Sequence, residues 1–507
     1  MPMFHLRISG RMEDMMILLP IVLPVLAGFV LLFLPDRVFG SRQSLLKVTG
    51  VSFIISAFLA AFVISGAAGE RLKLFDLVDD IPVYFAVDSV GRLFAAVIVL
   101  VFLIAGFYSF SYMAHEKNEK RYYSFYLITF GVLMGLVFAG NLITLYLFYE
   151  LMTLVSMPLV LHSGTREAVM AGLKYLFYSF CGAYMALFGI YFLYQYADTL
   201  EFAAGGALNM QALAESGNIQ LMLAAVFLML VGFGVKAGCF PLHAWLPTAH
   251  PAAPAPASAF LSGIIVKGGV LAIIRVVFYC IGADFIRGTW VQTIWIILAV
   301  ITLLMGSSLA FKEKVFKKRL AYSTVSNLSY ILLGLSMLNR TAFTGSLLHV
   351  VFHAVIKSGL FLTAGALIFN TGKTKVKDYA GLGKKMPKLF WSYTIISLGL
   401  IGIPPTSGFI SKWYLAGGSL ESGMTGLSWI GAAALLVSAL LTAGYLLPIS
   451  IRGFLTAPAD ESVLEKYHEP SLLMLVPIMI LAAITLVFGV YPAPLIDFIG
   501  TIAAGLM

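Results

Sequence analysis

The sequence predicts an all-α, polytopic membrane protein with about fourteen transmembrane helices. Of its 507 residues, 60% are apolar and only 11% are charged, whereas soluble domains carry about 25% charged residues. A soluble chain of this length divides into domains joined by polar linkers, but here long apolar runs are joined by short loops. The net charge of +9 lies mainly in those loops, which indicates membrane orientation rather than nucleic-acid binding.

Each predicted span is an apolar run of about 20 residues, the length that crosses a hydrocarbon core. The runs lie at 15–34, 48–68, 93–112, 122–140, 141–161, 168–195, 218–240, 258–280, 290–311, 320–338, 343–369, 389–418, 427–450 and 471–491. The first run is expected to be a retained helix, and residues 1–11 a short tail or a start upstream of the true one. Only Gly140 and Asn141 separate the fourth run from the fifth.

The loops also predict the orientation of the chain in a cell membrane. Most of the 33 Lys and Arg residues lie in loops that follow odd-numbered runs, and loops rich in these residues face the cytoplasm. Both termini are therefore expected on the outer side. Alternating apolar residues at 72–87 predict a small hairpin on that side, and an ordered cytoplasmic loop is expected at 247–256.

Seven charged side chains fall inside the apolar runs, where each costs at least about 2.5–3.5 kcal/mol to insert. They are Glu150, Lys174, Lys236, Lys267, Arg275, Lys357 and Lys412. Arg275 lies near the end of its run and is expected to reach the headgroups, while Lys174 suits a proton pathway or an anchor equally. The other four lysines lie deeper or beside helix breaks, which favours a functional role.

Buried lysines are suited to proton transfer. A lysine removed from water holds its proton less tightly, so it can load and release one near neutral pH. A carboxylate at about 4 Å opposes this by roughly 4 kcal/mol in a medium of dielectric constant near 20. We therefore expect Glu150 to pair with Lys236 and, by joining or separating, to switch the lysine between holding and releasing its proton.

His349, His353 and Lys357 recur every four residues in the eleventh run, so they share one helix face over about 12 Å. Because histidine titrates near neutral pH, this face is predicted to relay protons. Haem or metal ligation competes with this interpretation, but no other run offers a partner histidine and no carboxylate or thiol accompanies the pair. A purely structural role for both histidines is the remaining alternative.

The chain shows no motif for a redox cofactor or a metal. Its three cysteines, Cys181, Cys239 and Cys280, are widely spaced and form no CxxC pair, which excludes a ferredoxin cluster, a zinc ribbon and a disulfide framework. The sequence also lacks a glycine-rich dinucleotide motif. We expect no cofactor, no metal and no redox active site in this chain.

Two runs are interrupted by glycine and proline. The seventh ends in the stretch 232–247, which includes Lys236 and His243, and the twelfth carries the stretch 402–412. Proline removes a helix hydrogen bond, and backbone groups freed inside lipid must be satisfied by protein or water, so broken helices line cavities. Breaks at corresponding places of two halves indicate a transport site near the midplane.

Taken together, these segments resemble the antiporter-like, proton-conducting membrane subunits shared by respiratory complex I, group 4 membrane-bound hydrogenases and Mrp cation/proton antiporters. The resemblance rests on a set of motifs that is specific as a group. The motifs are YELMT at 149–153, Lys236 followed by FPLHAWLP at 240–247, and the segments 257–275, 318–327, 349–357 and 402–412.

The resemblance implies two inverted five-helix repeats, at 122–280 and 290–452, in which helices 7 and 12 are broken. Residues 1–121 then form three N-terminal helices with the hairpin, and residues 453–507 form a last helix with a short tail, as in shorter members without a lateral helix. It also implies proton transfer by the charged residues of the motifs. These are Glu150, Lys236, Lys267, His349, His353, Lys357 and Lys412, with Lys174 and His243 as further candidates.

The predicted function is proton translocation as a subunit of a multisubunit complex, driven by a separate redox module or coupled to cation exchange. The chain is then a non-redox subunit of an ion translocase. Its expected partners are other membrane subunits, the lipid bilayer, protons and, in an Mrp-type setting, Na+, and no nucleic acid is expected. The alternatives are a stand-alone transporter of a small anion, bound by the buried lysines, and a quinone- or haem-binding redox subunit.

Overall fold

The computed structural model describes residues 14–66, 71–78, 81–424, 426–457 and 464–507. This part of the chain is a bundle of α-helices with one two-stranded hairpin between the second and third helices. The expected tail at residues 1–11 and the acidic pair at the hairpin turn, Asp79 and Asp80, lie outside the described residues.

The helices follow the apolar runs, with local irregularities beside the charged positions. In the first half they are α1 (Leu19–Phe33, preceded by a 3-10 turn at Asp14–Leu18), α2 (Arg42–Ser65), α3 (Ser89–Tyr112), α4 (Glu119–Val137), α5 (Leu142–Val160), α6 (Arg166–Tyr196), α7 (Met210–Glu215), α8 (Ile219–Lys236), α9 (Leu246–Ala252), α10 (Ala255–Phe260), α11 (Val266–Arg275) and α12 (Ala283–Ile286). Two π-helical segments, Leu261–Ile265 and Val276–Ile281, flank α11.

The second half continues the same architecture. Its helices are α13 (Trp290–Lys312), α14 (Phe316–Ser336), α15 (Arg340–Thr371), α16 (Leu382–Lys385), α17 (Pro387–Ile401), α18 (Ser407–Leu420), α19 (Leu427–Leu455), α20 (Leu472–Val490) and α21 (Ala493–Leu506). The residues expected as a short tail after the last run therefore include a further helix, α21.

The chain is a multi-pass membrane protein. Within the described residues, 11 helices are long and apolar enough to cross a membrane. Every predicted run contains a helix, but α4 and α14 begin with charged turns and the twelfth run is divided between α17 and α18, so these are not among the 11. The total of about fourteen spans therefore stays a prediction.

The predicted hairpin is confirmed. Its strands β1 (Arg71–Val78) and β2 (Ile81–Ala86) pair antiparallel. The hairpin rests on the turn between α4 and α5, where the Asn141 side chain accepts a hydrogen bond from the Thr144 N–H at 2.7 Å and donates one to the Pro82 carbonyl at 2.7 Å. Asn141 therefore caps α5 and fixes the weakly marked boundary between the fourth and fifth runs.

The stretch at 247–256, expected to be a loop, is instead mostly helical. It forms α9 and the start of α10, which meet at Ala253 and Pro254. Pro247 and Pro256 occupy the first turns of the two helices, where no intrahelical N–H is required, whereas Pro251 lies inside α9. The low complexity of this Pro-Ala run does not by itself distinguish a loop from short helices.

Two helical stretches lie at the centre of the bundle. All residues of the apolar stretch Ala255–Ile281 are buried. In an 18-residue apolar window of Arg340–Thr371, 94% of the residues are buried, against 39% in the corresponding window of Arg42–Ser65. Charged residues on the two central stretches are therefore surrounded by protein rather than by lipid, which is where intramembrane charges are tolerated.

Arg275 does not reach the headgroups, and that prediction is wrong. Its side chain is buried and makes a bidentate ion pair with Asp88, with nitrogen–oxygen distances of 2.5 and 2.7 Å. Its guanidinium also lies 4.7 and 4.6 Å from the ring centroids of Phe202 and Tyr279. Asp88 itself caps α3 by accepting from the Gly91 N–H at 2.8 Å, so one carboxylate joins α3 to α11.

Burial alone would raise the pKa of the Asp88 carboxyl, but the Arg275 ion pair holds this pKa below its usual range. Because the pKa is lowered on folding, the contribution to stability is present at neutral pH and is lost as the pH falls through the folded value.

We expect Asp88→Asn to lower the free energy of unfolding by about 3 kcal/mol, because it leaves a buried guanidinium without its counter-charge. This is the low end of the usual range, since the Asp88 side chain is itself 34% exposed. Thermal unfolding in detergent measures the effect. The matched control is Asp76→Asn, whose ion pair with Lys73 is exposed on β1 and contributes about 0–1 kcal/mol. Equal melting temperatures for the two variants would contradict the stabilising role of the Asp88–Arg275 ion pair.

Candidate functional site

The structure places most of the predicted site residues in the interior of the bundle. Fully or almost fully buried are Lys236, Lys267, His349, His353 and Lys357. Lys412 is half-buried. These residues come from α8, α11, α15 and α18, so the arrangement draws on both halves of the chain.

Lys236 is the last residue of α8, and three hydroxyl groups hold its amine. Its Nζ donates to Thr153 Oγ1 at 2.6 Å, to Ser179 Oγ at 2.9 Å and to Tyr175 OH at 3.1 Å. The Tyr175 ring centroid also lies 4.5 Å from this Nζ, a contact that stabilises a cation. An ammonium has three N–H groups, so these acceptors satisfy all of them, and a hydroxyl can reverse its role and donate to a neutral amine.

The helix break after Lys236 is closed by residues further along the chain. Gly238 takes a positive φ of 72°, which favours glycine. Trp245 Nε1 donates to the Val235 carbonyl at 2.9 Å, which satisfies one of the groups freed at the end of α8. The FPLHAWLP motif therefore folds back onto the helix end that carries Lys236.

Glu150 does not pair directly with Lys236. Both residues are described, and no ion pair joins them. On α5 the residues next to Lys236 are Tyr149 and Thr153, whereas Glu150 is rotated by about 100° from Tyr149 and is half-buried. The two groups are therefore separate in this structure, where hydroxyl groups occupy the three donor directions of the amine, and the expected switch stays a prediction.

Lys267 contacts the histidine row. Its Nζ lies 2.7 Å from His353 Nδ1 and donates to the Ser262 carbonyl at 2.6 Å. Ser262 belongs to the π-helical segment Leu261–Ile265. Such segments disturb the regular helix hydrogen bonds and occur frequently at functional sites, and this one provides a main-chain acceptor for the lysine.

The shared face of His349, His353 and Lys357 on α15 is confirmed for the two histidines. Their ring centroids are 5.7 Å apart and nearly parallel. Lys357 turns toward α14, where its Nζ donates to the Leu320 carbonyl at 2.9 Å and to the Ser323 hydroxyl. One helix therefore carries two neighbouring imidazoles and, one turn further along, an amine that reaches a different helix.

Lys412 lies at the break between α17 and α18. Its Nζ donates to the carbonyls of Leu400 and Ile401 at 2.7 and 2.8 Å, which are among the groups left free at the end of α17. The same Nζ is 4.9 Å from the Tyr330 ring centroid, and that ring stacks on His349 at 5.3 Å. Tyr330 thus stands between Lys412 and the histidines.

Lys174 and His243 are not among the residues that link Lys267 to Lys412. Lys174 lines an open groove of about 850 Å³ together with Pro247 and Lys318. His243 is half-buried on the link between α8 and α9, and its Nδ1 has no partner among the described residues. On α6, Lys174 directly precedes the buried Tyr175, which bonds to Lys236.

The sequence interpretation missed the hydroxyl residues of the site. Thr153, Tyr175 and Ser179 hold Lys236, and Tyr330 connects Lys412 to the histidines. They were missed because single hydroxyls are common in membrane helices and carry no charge signal. Their spacing was a usable signal, since Tyr175 and Ser179 are four residues apart on one face of α6.

Two family models match the chain. The model described as NADH:quinone oxidoreductase/Mrp antiporter, TM matches residues 139–442. The model described as NADH-Ubiquinone oxidoreductase (complex I), chain 5 N-terminus matches residues 78–123. The two matches together include the hairpin's second strand, both helix breaks and every candidate residue of the site.

Individual relatives agree with the family models. The chain is 34% identical to NADH-quinone oxidoreductase subunit N of Desulforudis audaxviator over 397 residues, which is 75% of this chain and 76% of that protein. It is 29% identical to one of the Na(+)/H(+) antiporter subunits of Alkalihalophilus pseudofirmus over 488 residues, or 95% of each.

The fold is also similar to that of a solved structure. A chain in the Mrp complex from Dietzia sp. DQ12-45-1b superposes with a TM-score of 0.84 at 22% identity, over 98% of both chains. The chain in that complex therefore has the same all-α membrane fold as this protein. As the sequence motifs predicted, the chain belongs to the NADH:quinone oxidoreductase/Mrp antiporter family of membrane proteins.

Proposed function

We propose that this chain is a proton-translocating, antiporter-like subunit of a multisubunit ion-pumping complex in the cell membrane. The observation that carries the proposal is the row of contacts from Lys267 through His353, His349 and Tyr330 to Lys412. Lys267 Nζ lies 2.7 Å from His353 Nδ1, and the ring centroids of His353 and His349 are 5.7 Å apart. The His349 and Tyr330 centroids are 5.3 Å apart, and Lys412 Nζ lies 4.9 Å from the Tyr330 centroid.

The Lys267–His353 contact is suited to moving a proton. Either nitrogen can carry the shared hydrogen, but a charged lysine requires a neutral His353 Nδ1 as its acceptor. Two adjacent cations repel strongly in a medium of low dielectric constant. A proton that arrives on one partner therefore favours release from the other. His349, the next imidazole on α15, has its Nδ1 2.9 Å from Ser411 Oγ, so this hydrogen bond continues the proposed route to the residue before Lys412.

The Lys236 site is the proposed entry to the row. The groove beside Lys174 borders α6 and α9, and α6 carries the Tyr175 and Ser179 hydroxyls that bond to Lys236. Protons taken up in this groove would reach Lys236 through those hydroxyls and then pass to Lys267. Lys174 and His243 are proposed to conduct protons on the groove side, and Glu150 to act on Lys236 through its charge at longer range.

The architecture that we propose around this row is two inverted repeats, at 122–280 and 290–452. Each half contributes a helix break with a lysine beside it, at Lys236 and at Lys412, which is the pattern of inverted-repeat transporters. Residues 1–121 and 453–507 then flank the repeats. The basic loops support the orientation in which both termini face outward.

The proposed partners are other membrane subunits and a driving module. Relatives of this chain are named as subunits of a quinone oxidoreductase and of a Na(+)/H(+) antiporter, and the solved relative belongs to an Mrp complex. A chain that only conducts protons requires a neighbour to supply energy, by a redox reaction or by cation exchange. In an Mrp-type assembly, proton movement through this chain would be coupled to Na+ movement.

The rival proposal of a stand-alone anion transporter has less support. An anion site requires lysine amines that converge on one cavity, but the amines here bond to separate protein acceptors. Lys236 bonds to three hydroxyls, Lys357 bonds to α14, and Lys412 bonds to the end of α17.

In liposomes containing the purified chain alone, we expect no autonomous anion flux, and such flux would favour the rival.

We expect Lys236→Ala to reduce coupled proton movement in the intact complex by roughly tenfold or more, because it removes the titrating group of the entry site. Proton uptake by inverted membrane vesicles measures the rate, and the amount of assembled complex is quantified in parallel. Lys314→Ala, in an exposed basic loop, is the matched control and is expected to behave as the wild type. A wild-type rate of proton uptake in Lys236→Ala, at a wild-type amount of assembled complex, would contradict the proposed role of Lys236 at the entry.

Glu150→Gln tests the longer-range role of the carboxylate. Because Glu150 makes no direct ion pair with Lys236, we expect a partial loss of rate that is smaller than the loss in Lys236→Ala. The same vesicle assay compares the two variants. A rate equal to that of the wild type would remove Glu150 from the mechanism, and a loss equal to that of Lys236→Ala would show that the carboxylate itself transfers protons.

A further inference from the structure

Lys174 is a half-buried cation on α6 that has no partner of opposite charge in the part of the chain that the structure describes. The aromatic ring nearest its Nζ is that of Tyr178, with a centroid 5.9 Å away. Lys174 lies eight residues beyond Arg166 at the start of α6, which is about 12 Å along the helix axis. An unpaired charge inside an apolar run is costly, so this position favours an anion supplied from outside the chain.

The groove of about 850 Å³ that Lys174 lines also contains a second cation, Lys318 from α14. The Lys318 side chain is 41% exposed, and its Nζ lies 3.1 Å from a carboxylate oxygen of Glu313. Glu167 lines the groove as well, but it lies in the first turn of α6, two helical turns from Lys174, where its charge meets the positive end of that helix. The groove therefore offers ammonium groups from two helices, and that of Lys174 is unpaired among the described residues.

One wall of the groove continues as an apolar stripe along α6. Met170, Leu173 and Phe177 line the groove, and all three are exposed. Residues spaced by three and four positions share one face of a helix, and the exposed Tyr184 extends this face toward the middle of α6. A ligand that fills the groove and covers the stripe therefore needs an anionic end and an apolar body.

The charged end of the groove lies on the face that carries the basic loops, since Lys318 belongs to one of them. The orientation rule assigns this face to the cytoplasm. The cytoplasmic leaflet contains anionic lipids, and basic pockets between membrane helices on this side bind their headgroups. A phospholipid supplies the phosphate and the acyl chains in one molecule, so it matches both the unpaired amine and the adjoining apolar stripe.

We propose that an anionic phospholipid binds in this groove, with its phosphate held by Lys174 and with Lys318 as the second cation. Its acyl chain then lies along Met170, Leu173 and Phe177. Hydrogen bonds from an ammonium to a phosphate are stronger than those between neutral groups. The inference goes beyond the proposed function and does not depend on it, since the groove can bind a lipid whether or not the chain conducts protons.

The test uses the intact complex in vesicles of phosphatidylcholine with a small fraction of phosphatidylglycerol that carries a photoreactive diazirine on one acyl chain. A parallel sample carries the same diazirine on phosphatidylcholine. After illumination, mass spectrometry measures the labelled fraction of α6 peptides. We expect phosphatidylglycerol to label α6 more than phosphatidylcholine does. Lys174→Gln is expected to lower this excess roughly tenfold, the effect of losing one hydrogen bond to a charged group.

Two further variants separate the ionic contact from other effects. Lys174→Arg keeps the positive charge and is expected to keep the excess labelling. Lys314→Gln lies in the same basic loop as Lys318 but is not among the residues that line the groove, so it is expected to behave as the wild type. Excess inorganic phosphate is expected to leave the labelling unchanged, because it has no acyl chain to cover the stripe. The amount of assembled complex is quantified for each variant.

Equal labelling in the wild type and in Lys174→Gln, or by the two lipids in the wild type, overturns the proposal. So does an unlabelled α6, which shows that a neighbouring subunit covers the stripe. An equal loss in Lys174→Arg assigns the lysine a structural role, and displacement by inorganic phosphate assigns the groove to a soluble anion; both results also overturn the lipid site. None of these outcomes decides proton translocation, which the rate of proton uptake in Lys236→Ala tests separately.

Discussion

A buried amine is tolerated inside a membrane bundle only where its hydrogen bonds are met, and the rest of this structure depends on that constraint. The acceptors come largely from irregularities in the helices. Lys412 uses the free carbonyls of Leu400 and Ile401 at the end of α17, and Lys267 uses the Ser262 carbonyl in a π-helical segment. The breaks and the lysines therefore stabilise each other, since either one alone would leave polar groups unsatisfied.

Lys236 and Lys412 differ in the kind of group that contacts their amines. Lys236 is surrounded by hydroxyl groups, which can donate to the lone pair of a neutral amine as readily as they accept from an ammonium. Lys412 faces two main-chain carbonyls, which only accept. A neutral Lys236 can therefore be matched by rotating a hydroxyl, whereas these two contacts of Lys412 offer no donor.

The sequence was sufficient for features that repeat locally. Apolar runs located the helices, alternation located the hairpin, and four-residue spacing placed His349 and His353 side by side. It was insufficient where partners lie far apart, as for Arg275 and Asp88, which are separated by 187 positions. Side-chain partners were equally hidden, because Glu150 lies on α5 between Tyr149 and Thr153, which both contact Lys236, but makes no ion pair with that lysine. Periodicity describes one helix and does not specify its neighbours.

In the proposed mechanism, the imidazoles of α15 change protonation while the complex works. Infrared difference spectroscopy of the intact complex, with ¹⁵N-labelled histidine, tests this most directly. Isotope-shifted imidazole bands are expected to appear on energisation in the wild type and to weaken in His353→Gln. If the labelled and unlabelled complexes give the same difference spectrum, the histidines carry no proton and the row described here does not conduct.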